Sequence, residues 1–121
     1  MKKFLDLMKI EGKNYSVRYD ESTATVLFQG SLRLSGTEEY APIEQLLNHL
    51  IERELPSIAL DLRKLEFLNS SGISMLSKFA INVRKKKNIQ MRVIGSQEIP
   101  WQSKSLKNLQ RLMPSLKLDI V

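Results

Sequence analysis

Apolar and polar residues alternate with period two at Tyr15, Val17 and Tyr19, and a run rich in β-formers follows at Thr23–Gln29. Such patterning marks half-buried strands. The polar Asp20-Glu21-Ser22 between the two runs makes them a hairpin, and Gly30 is expected to end it. Then the period changes. Ile43, Leu46, Leu47, Leu50 and Ile51 share one face of a helix. Ser35-Gly36 supplies a break and cap, Glu38 and Glu39 acids for the first turn, and Pro42 suits a position near the start. Leu55-Pro56 closes this helix. Ile58, Leu60 and Leu62 return to period two, Arg63 and Lys64 interrupt it, and Leu65, Phe67 and Leu68 form a second apolar cluster.

After Asn69-Ser70-Ser71-Gly72 the pattern is helical to about Lys87, with Ile73, Leu76, Phe79, Ala80 and Val83 as the buried side. Ile89, Met91 and Val93 make another strand, ending at Gly95-Ser96. Ile99-Pro100-Trp101 opens a third helix whose apolar face is Leu106, Leu109, Leu112 and Met113. Lys104, Lys107 and Arg111 form a basic stripe opposite, Pro114 stops the helix, and Leu116, Leu118 and Ile120 alternate as a last strand. The order is β-β-α-β-α-β-α-β. It predicts one α/β domain over residues 15–121, with a mixed sheet of crossover-connected strands, an antiparallel opening hairpin and helices packed on it. Residues 1–14 are weakly patterned and read as an N-terminal extension, either a short helix, an edge strand or a loose segment.

The stretch from Asp61 to Ile73 carries the candidate chemistry. Asn and Ser are residues that cap helices, because their side-chain oxygens accept the orphan N–H groups of a first turn. A strand thus delivers hydroxyls to a helix N-terminus, where free donors and a partial positive charge favour an anion. Asp61-Leu62, the apolar Leu65, Phe67 and Leu68, and Asn69-Ser70-Ser71-Gly72-Ile73 resemble the signature of STAS domains, in particular bacterial anti-sigma-factor antagonists. Gly30-Ser31-Leu32 is similar to the G-x-L that follows the second strand in that family.

The resemblance implies a non-enzymatic regulatory domain whose serine at position 70 is phosphorylated, with Ser71 as second choice. It implies as partners a serine kinase with anti-sigma activity and a serine phosphatase. ATP and magnesium would belong to the kinase, and no cofactor or metal to this domain. The family usually places an acid after the leucine of G-x-L, where this chain has Arg33; a cation there favours a phosphate. Many STAS domains continue into a further C-terminal helix. No residues follow Ile120 and Val121 to form one, so one sheet face is expected to be thinly covered or used for pairing.

Beyond the resemblance, Ser70, Ser74, Ser77 and Ile81 fall at spacings of four, three and four on the second helix. Small hydroxyl side chains there form a low ridge ending in one apolar residue, flanked by Met75 and Lys78. The expected partner contacts are therefore Asn69, Ser71, Ser74, Met75, Ser77, Lys78, Ile81 and Arg33.

Charge and composition bound the remaining classes. Up to Glu66 there are nine Lys/Arg against eleven Asp/Glu, and from Phe67 onward ten against two. The half bearing the serines is basic, which suits an acidic partner surface or nucleic acid. No aromatic residues interleave the Arg84–Lys87 run, which neutralises a helix C-terminus, so no stable nucleic-acid binding is expected. There is no cysteine, and His49 stands alone, so neither thiol chemistry nor a metal cluster is indicated. No G-x-S-x-G elbow or Walker A sequence surrounds the serines. Met1–Ile10 is too short and charged for a signal peptide or membrane span. A cytoplasmic monomer or weak homodimer is the expectation. A constitutive scaffold or adaptor subunit in a signalling or transport complex stays open, as does, more remotely, a basic nucleic-acid module.

Overall fold

The computed structural model describes residues 9–121. Three strands come first: β1 (Lys9–Glu11), β2 (Tyr15–Asp20) and β3 (Thr25–Leu32). Then α1 (Gly36–Glu52), β4 (Ser57–Leu68), α2 (Ser70–Lys86), β5 (Gln90–Gly95), α3 (Gln102–Leu112) and β6 (Lys117–Ile120) alternate. All six strands form one sheet in sequential order, antiparallel from β1 to β3 and parallel from β3 to β6. This is the mixed α/β domain expected from the order of periods, with β1 added. Of the three readings for residues 1–14, Lys9–Glu11 forms the edge strand; residues 1–8 lie outside the described part.

Each crossover advances the sheet in the same direction. With right-handed connections this puts all three helices on one face, where α1 packs on α2 and α2 on α3. The core lies between that layer and the sheet. Val17, Tyr19, Val26, Phe28, Leu60 and Val93 point into it, while their strand neighbours Arg18, Gln29 and Arg92 stay exposed.

Two expected breaks are bulges instead. Gly30 does not end β3, which runs on to Leu32 with a register shift at Gly30/Ser31. Its φ of +88° is left-handed, and a Cβ there would lie 2.2 Å from the Asn14 carbonyl oxygen. Only glycine passes that point without strain. Arg63-Lys64 does not interrupt β4, a single strand of 12 residues. Leu27 pairs with Asp61 but Gln29 with Lys64, so β4 carries one extra residue there.

Asp61 holds that bulge. Its carboxylate accepts from the Arg63 backbone N–H at 3.1 Å and from the Arg63 guanidinium at 3.0 and 2.7 Å. Hydrogen bonding by Arg63 holds the Asp61 carboxyl below the usual range, against the opposing effect of burial. A depressed folded-state pKa gives stability that is present above the unfolded value and lost as pH falls through the folded one. Arg63→Ala is therefore expected to destabilise the domain modestly at neutral pH, since the arginine is itself half exposed. The difference from wild type should vanish in acid once Asp61 is protonated, as urea titrations at both pH values would read.

Beside the same bulge, Gln102 is fully buried. Its Nε2 donates to the Leu62 and Leu65 carbonyls, and its Oε1 accepts from the Ser96 N–H. One side chain thus satisfies three backbone groups where the β4 bulge leaves the ladder, and it ties α3 to β4 and β5. The third helix starts at Gln102, not at Ile99, and the residues before it form turns. Pro42 sits in the second turn of α1, since that helix begins at Gly36. There its missing N–H forgoes one helical bond.

Candidate functional site

The C-terminal ends of β3 and β4 meet the N-terminus of α2. Their register pairs Ser31 with Phe67 and Leu32 with Leu68, so Arg33 and Asn69 emerge side by side. Asn69 is the cap. Its Oδ1 accepts from the Gly72 N–H at 3.0 Å and from the Tyr40 hydroxyl at 2.7 Å, and its Nδ2 donates to the Leu34 carbonyl at 2.7 Å. Its backbone N–H donates to the Leu32 carbonyl at 3.2 Å. One asparagine therefore joins β3, α1 and α2, and it is half-buried.

Tyr40 carries no motif of its own in the sequence. It is 1% exposed, and burial raises its hydroxyl above the ordinary phenol range. The signal for it was spacing: Tyr40, Ile43 and Leu47 fall three and four apart on the inner side of α1. Gly72 is required by the same packing. A Cβ there would lie 2.2 Å from Leu68 Cδ1 and 2.7 Å from the Tyr40 hydroxyl.

Because Asn69 performs the capping, Ser70 does not. It is the first residue of α2 and is exposed. Among the described residues, no histidine or carboxylate hydrogen-bonds to Ser70 or Ser71. His49, the only histidine, lies in the last turn of α1, about 13 Å along the helix from Tyr40.

The structure divides the remaining candidates. Ser70, Ser74, Lys78 and Ile81 are exposed on the outer side of α2, Ile81 with 38% of its surface free. Ser71 and Ser77 are half-buried, and the Ser77 hydroxyl donates to the Ile73 carbonyl at 2.9 Å. Met75 is 3% exposed and packs into the core, with an edge lining the cleft between α1 and α2. The reason is that α2 lies between two other helices and buries a wider arc than a helix with one neighbour. Arg33 is exposed, with its guanidinium 4.2 Å from the centroid of the Phe67 ring. That stack keeps a cation and an apolar face on the rim where Ser70 begins.

A cleft flanks the outer ridge of α2 on each side. One, of about 280 Å³ between α1 and α2, is lined by Tyr40, Glu44, Ser71, Ser74, Met75 and Lys78 among others. The other, of about 210 Å³ between α2 and α3, is lined mostly by apolar side chains and includes Trp101. The Trp101 Nε1 donates to the Glu66 carbonyl at 3.0 Å, fixing α3 beside the end of β4. Among the described residues, no group of three or more His, Asp or Glu side chains is placed to hold a metal ion. No helix among them is long and apolar enough to cross a membrane.

No family model matches the chain, and no curated protein matches it in sequence. Solved structures do match. A chain of the complex between the diguanylate cyclase SiaD and its activator SiaC, from Pseudomonas aeruginosa, superposes with a TM-score of 0.70 at 13% identity. The match covers 93% of this chain and 96% of that one. SiaC of P. aeruginosa gives 0.65 at 12% identity, covering 93% of each chain. An anti-sigma factor antagonist from Mycobacterium paratuberculosis gives 0.62 at 18% identity, covering 89% of this chain and 90% of that one. The chain thus has the STAS fold, as the Asp61–Ile73 motif implied.

Proposed function

We propose that this chain is a non-enzymatic regulatory domain that binds a protein partner along the outer ridge of α2 and is switched by phosphorylation of Ser70. The observation that carries the reading is the division of labour at the helix start. Asn69 supplies the cap, and Ser70, exposed beside it, is left available to another protein's active site. A phosphate there adds a charge of about −1.5 to −2. The helix dipole favours that charge, so the fold tolerates it. A partner lying on Ser74 and Ile81 would meet it directly.

The partner in this reading is an anti-sigma factor with serine kinase activity, with a phosphatase reversing the mark. The fold shared with an anti-sigma factor antagonist supports it, as does the N-S-S-G sequence at 69–72. Arg33 on the same rim supplies a cation that suits the phosphorylated state. The higher likeness to a chain from the SiaD–SiaC complex favours a second reading, in which the partner is a signalling enzyme that this domain activates.

Affinity capture with wild type, Ser70→Ala and Ser70→Asp as bait tests both. One protein should be retained by the first two and lost from the third, and its identity decides between the readings. Equal retention by all three would refute the switch. Ile81→Glu should also weaken retention, because it puts a charge on the apolar end of the ridge. Its thermal midpoint should stay near wild type, since exposed positions change stability by only about 0.5 kcal/mol.

A further inference from the structure

The cleft between α2 and α3 is unfilled where helices ordinarily interdigitate. Leu76, Leu106 and Leu109 lie along it, Ile73 and Trp101 wall it, and two small residues, Ser77 and Ser105, line it where larger ones would close it. At about 210 Å³ it is smaller than a small-molecule site, for which roughly 300–1,000 Å³ is usual. It is the size of a side chain or two.

Its rim is basic. The Arg111 Nη1 donates to Asn108 Oδ1 at 3.3 Å, and the Arg84 Nη1 to the Leu112 carbonyl at 3.2 Å; Asn108 and Leu112 both line the cleft. Lys104, exposed, precedes Ser105. No acid lines the cleft; Glu66 gives only its carbonyl to Trp101, and lines a different cavity with Arg63.

We infer that this cleft anchors the partner, by accepting one large apolar side chain from a segment flanked with acidic residues. The inference rests on the partner-binding reading above and names the chemistry of what binds. It also links the anchor to the switch. Ser70 precedes Ile73 by three residues and Ser77 by seven, so all three share a side of α2. Ser70 does not itself line the cleft, but a phosphate on it, one turn before Ile73, would repel an acidic segment entering at that end; Arg84, 14 residues on, is about 21 Å away along the helix.

Trp101 is the only tryptophan, so its fluorescence reports on the cleft alone. The probes are three synthetic peptides: a glutamate-rich peptide with one central leucine, its lysine-rich counterpart, and the glutamate peptide with serine for leucine. At low salt the glutamate-leucine peptide should give a saturable blue shift, at least about tenfold tighter than the lysine peptide. The serine peptide should give none. Ser105→Phe fills the cleft and should abolish the shift; Ser77→Leu, on the opposite wall, does the same if the first variant fails to fold.

No shift with the glutamate-leucine peptide, equal binding of both charge types, or full binding by the filled variants would overturn the inference. Titrating Ser70→Asp separates it from the switch. Binding lost in the filled variants but unchanged in Ser70→Asp upholds the cleft and tells against the switch. Binding lost in Ser70→Asp but kept in the filled variants does the reverse.

Discussion

Asn69→Ala should destabilise the domain by about 2 kcal/mol, a large share of the stability of a chain this size. Removing an N-cap side chain costs about 1 kcal/mol. The alanine also leaves the Leu34 carbonyl without its donor, while the Tyr40 hydroxyl, 1% exposed, falls back on its other acceptor, the Leu32 carbonyl at 3.3 Å. Each buried polar group left without a partner adds roughly 1 kcal/mol or more. The Gly72 N–H loses its acceptor too. Asn69→Asp should recover part of the loss, because it keeps the cap oxygen and suits the helix dipole, but it cannot donate to Leu34. Tyr40→Phe in the Asn69→Ala background should cost less than in wild type, since the hydroxyl there keeps only its longer bond to the Leu32 carbonyl. Urea unfolding of wild type, Asn69→Ala, Tyr40→Phe and the double variant reads this cycle; additive losses would show that the asparagine and tyrosine act independently.

Ser70→Asp should act on binding instead of folding. Partner affinity should fall about a hundredfold, equivalent to about 2.7 kcal/mol, while the thermal midpoint holds or rises slightly. An acid in a helix's first turn is worth about 0.3–1 kcal/mol in its favour. Ser70→Ala should bind like wild type, since no hydrogen bond of the cap depends on that hydroxyl. The same pair of substitutions at Ser77 should behave otherwise. That hydroxyl is half-buried and bonded within α2, so Ser77→Asp should cost stability before it costs affinity. Surface binding measured with the captured partner, alongside thermal melts, separates the two effects.

Much of the architecture is legible in the pattern alone, because each helix has one clear inner face and each strand a clean alternation. Ile43, Leu46, Leu47, Leu50 and Ile51 are all buried on α1, as their spacing requires. The misreadings share one cause. A bulge and a strand end look alike in sequence, since both interrupt the alternation. Arg63-Lys64 reads as a break until Asp61 is seen folding the arginine back upon itself. Gly30 reads as a stop until its close passage by Asn14 is seen. The three residues of β1 are too few to show any period.

At the site, the motif places Ser70 at the start of a helix but does not say which residue caps it. That depends on Tyr40 and Leu34, 29 and 35 residues earlier, which only the tertiary fold brings to Asn69. The burial of Met75 is set by α1, which lies against that side of α2, and no local pattern announces it. The split of the serines into exposed Ser70 and Ser74 and half-buried Ser77 follows from the third helix. Neither cleft has a sequence signature, because each is made by what two helices leave empty.

Phosphopeptide mapping of the chain purified from its native cells bears most directly on whether the first residue of α2 is a regulatory site. The phosphate should be found on Ser70, in a fraction that no longer retains the partner. Phosphate confined to Ser71, Ser74 or Ser77, or its absence from both partner-bound and partner-free fractions, would contradict it.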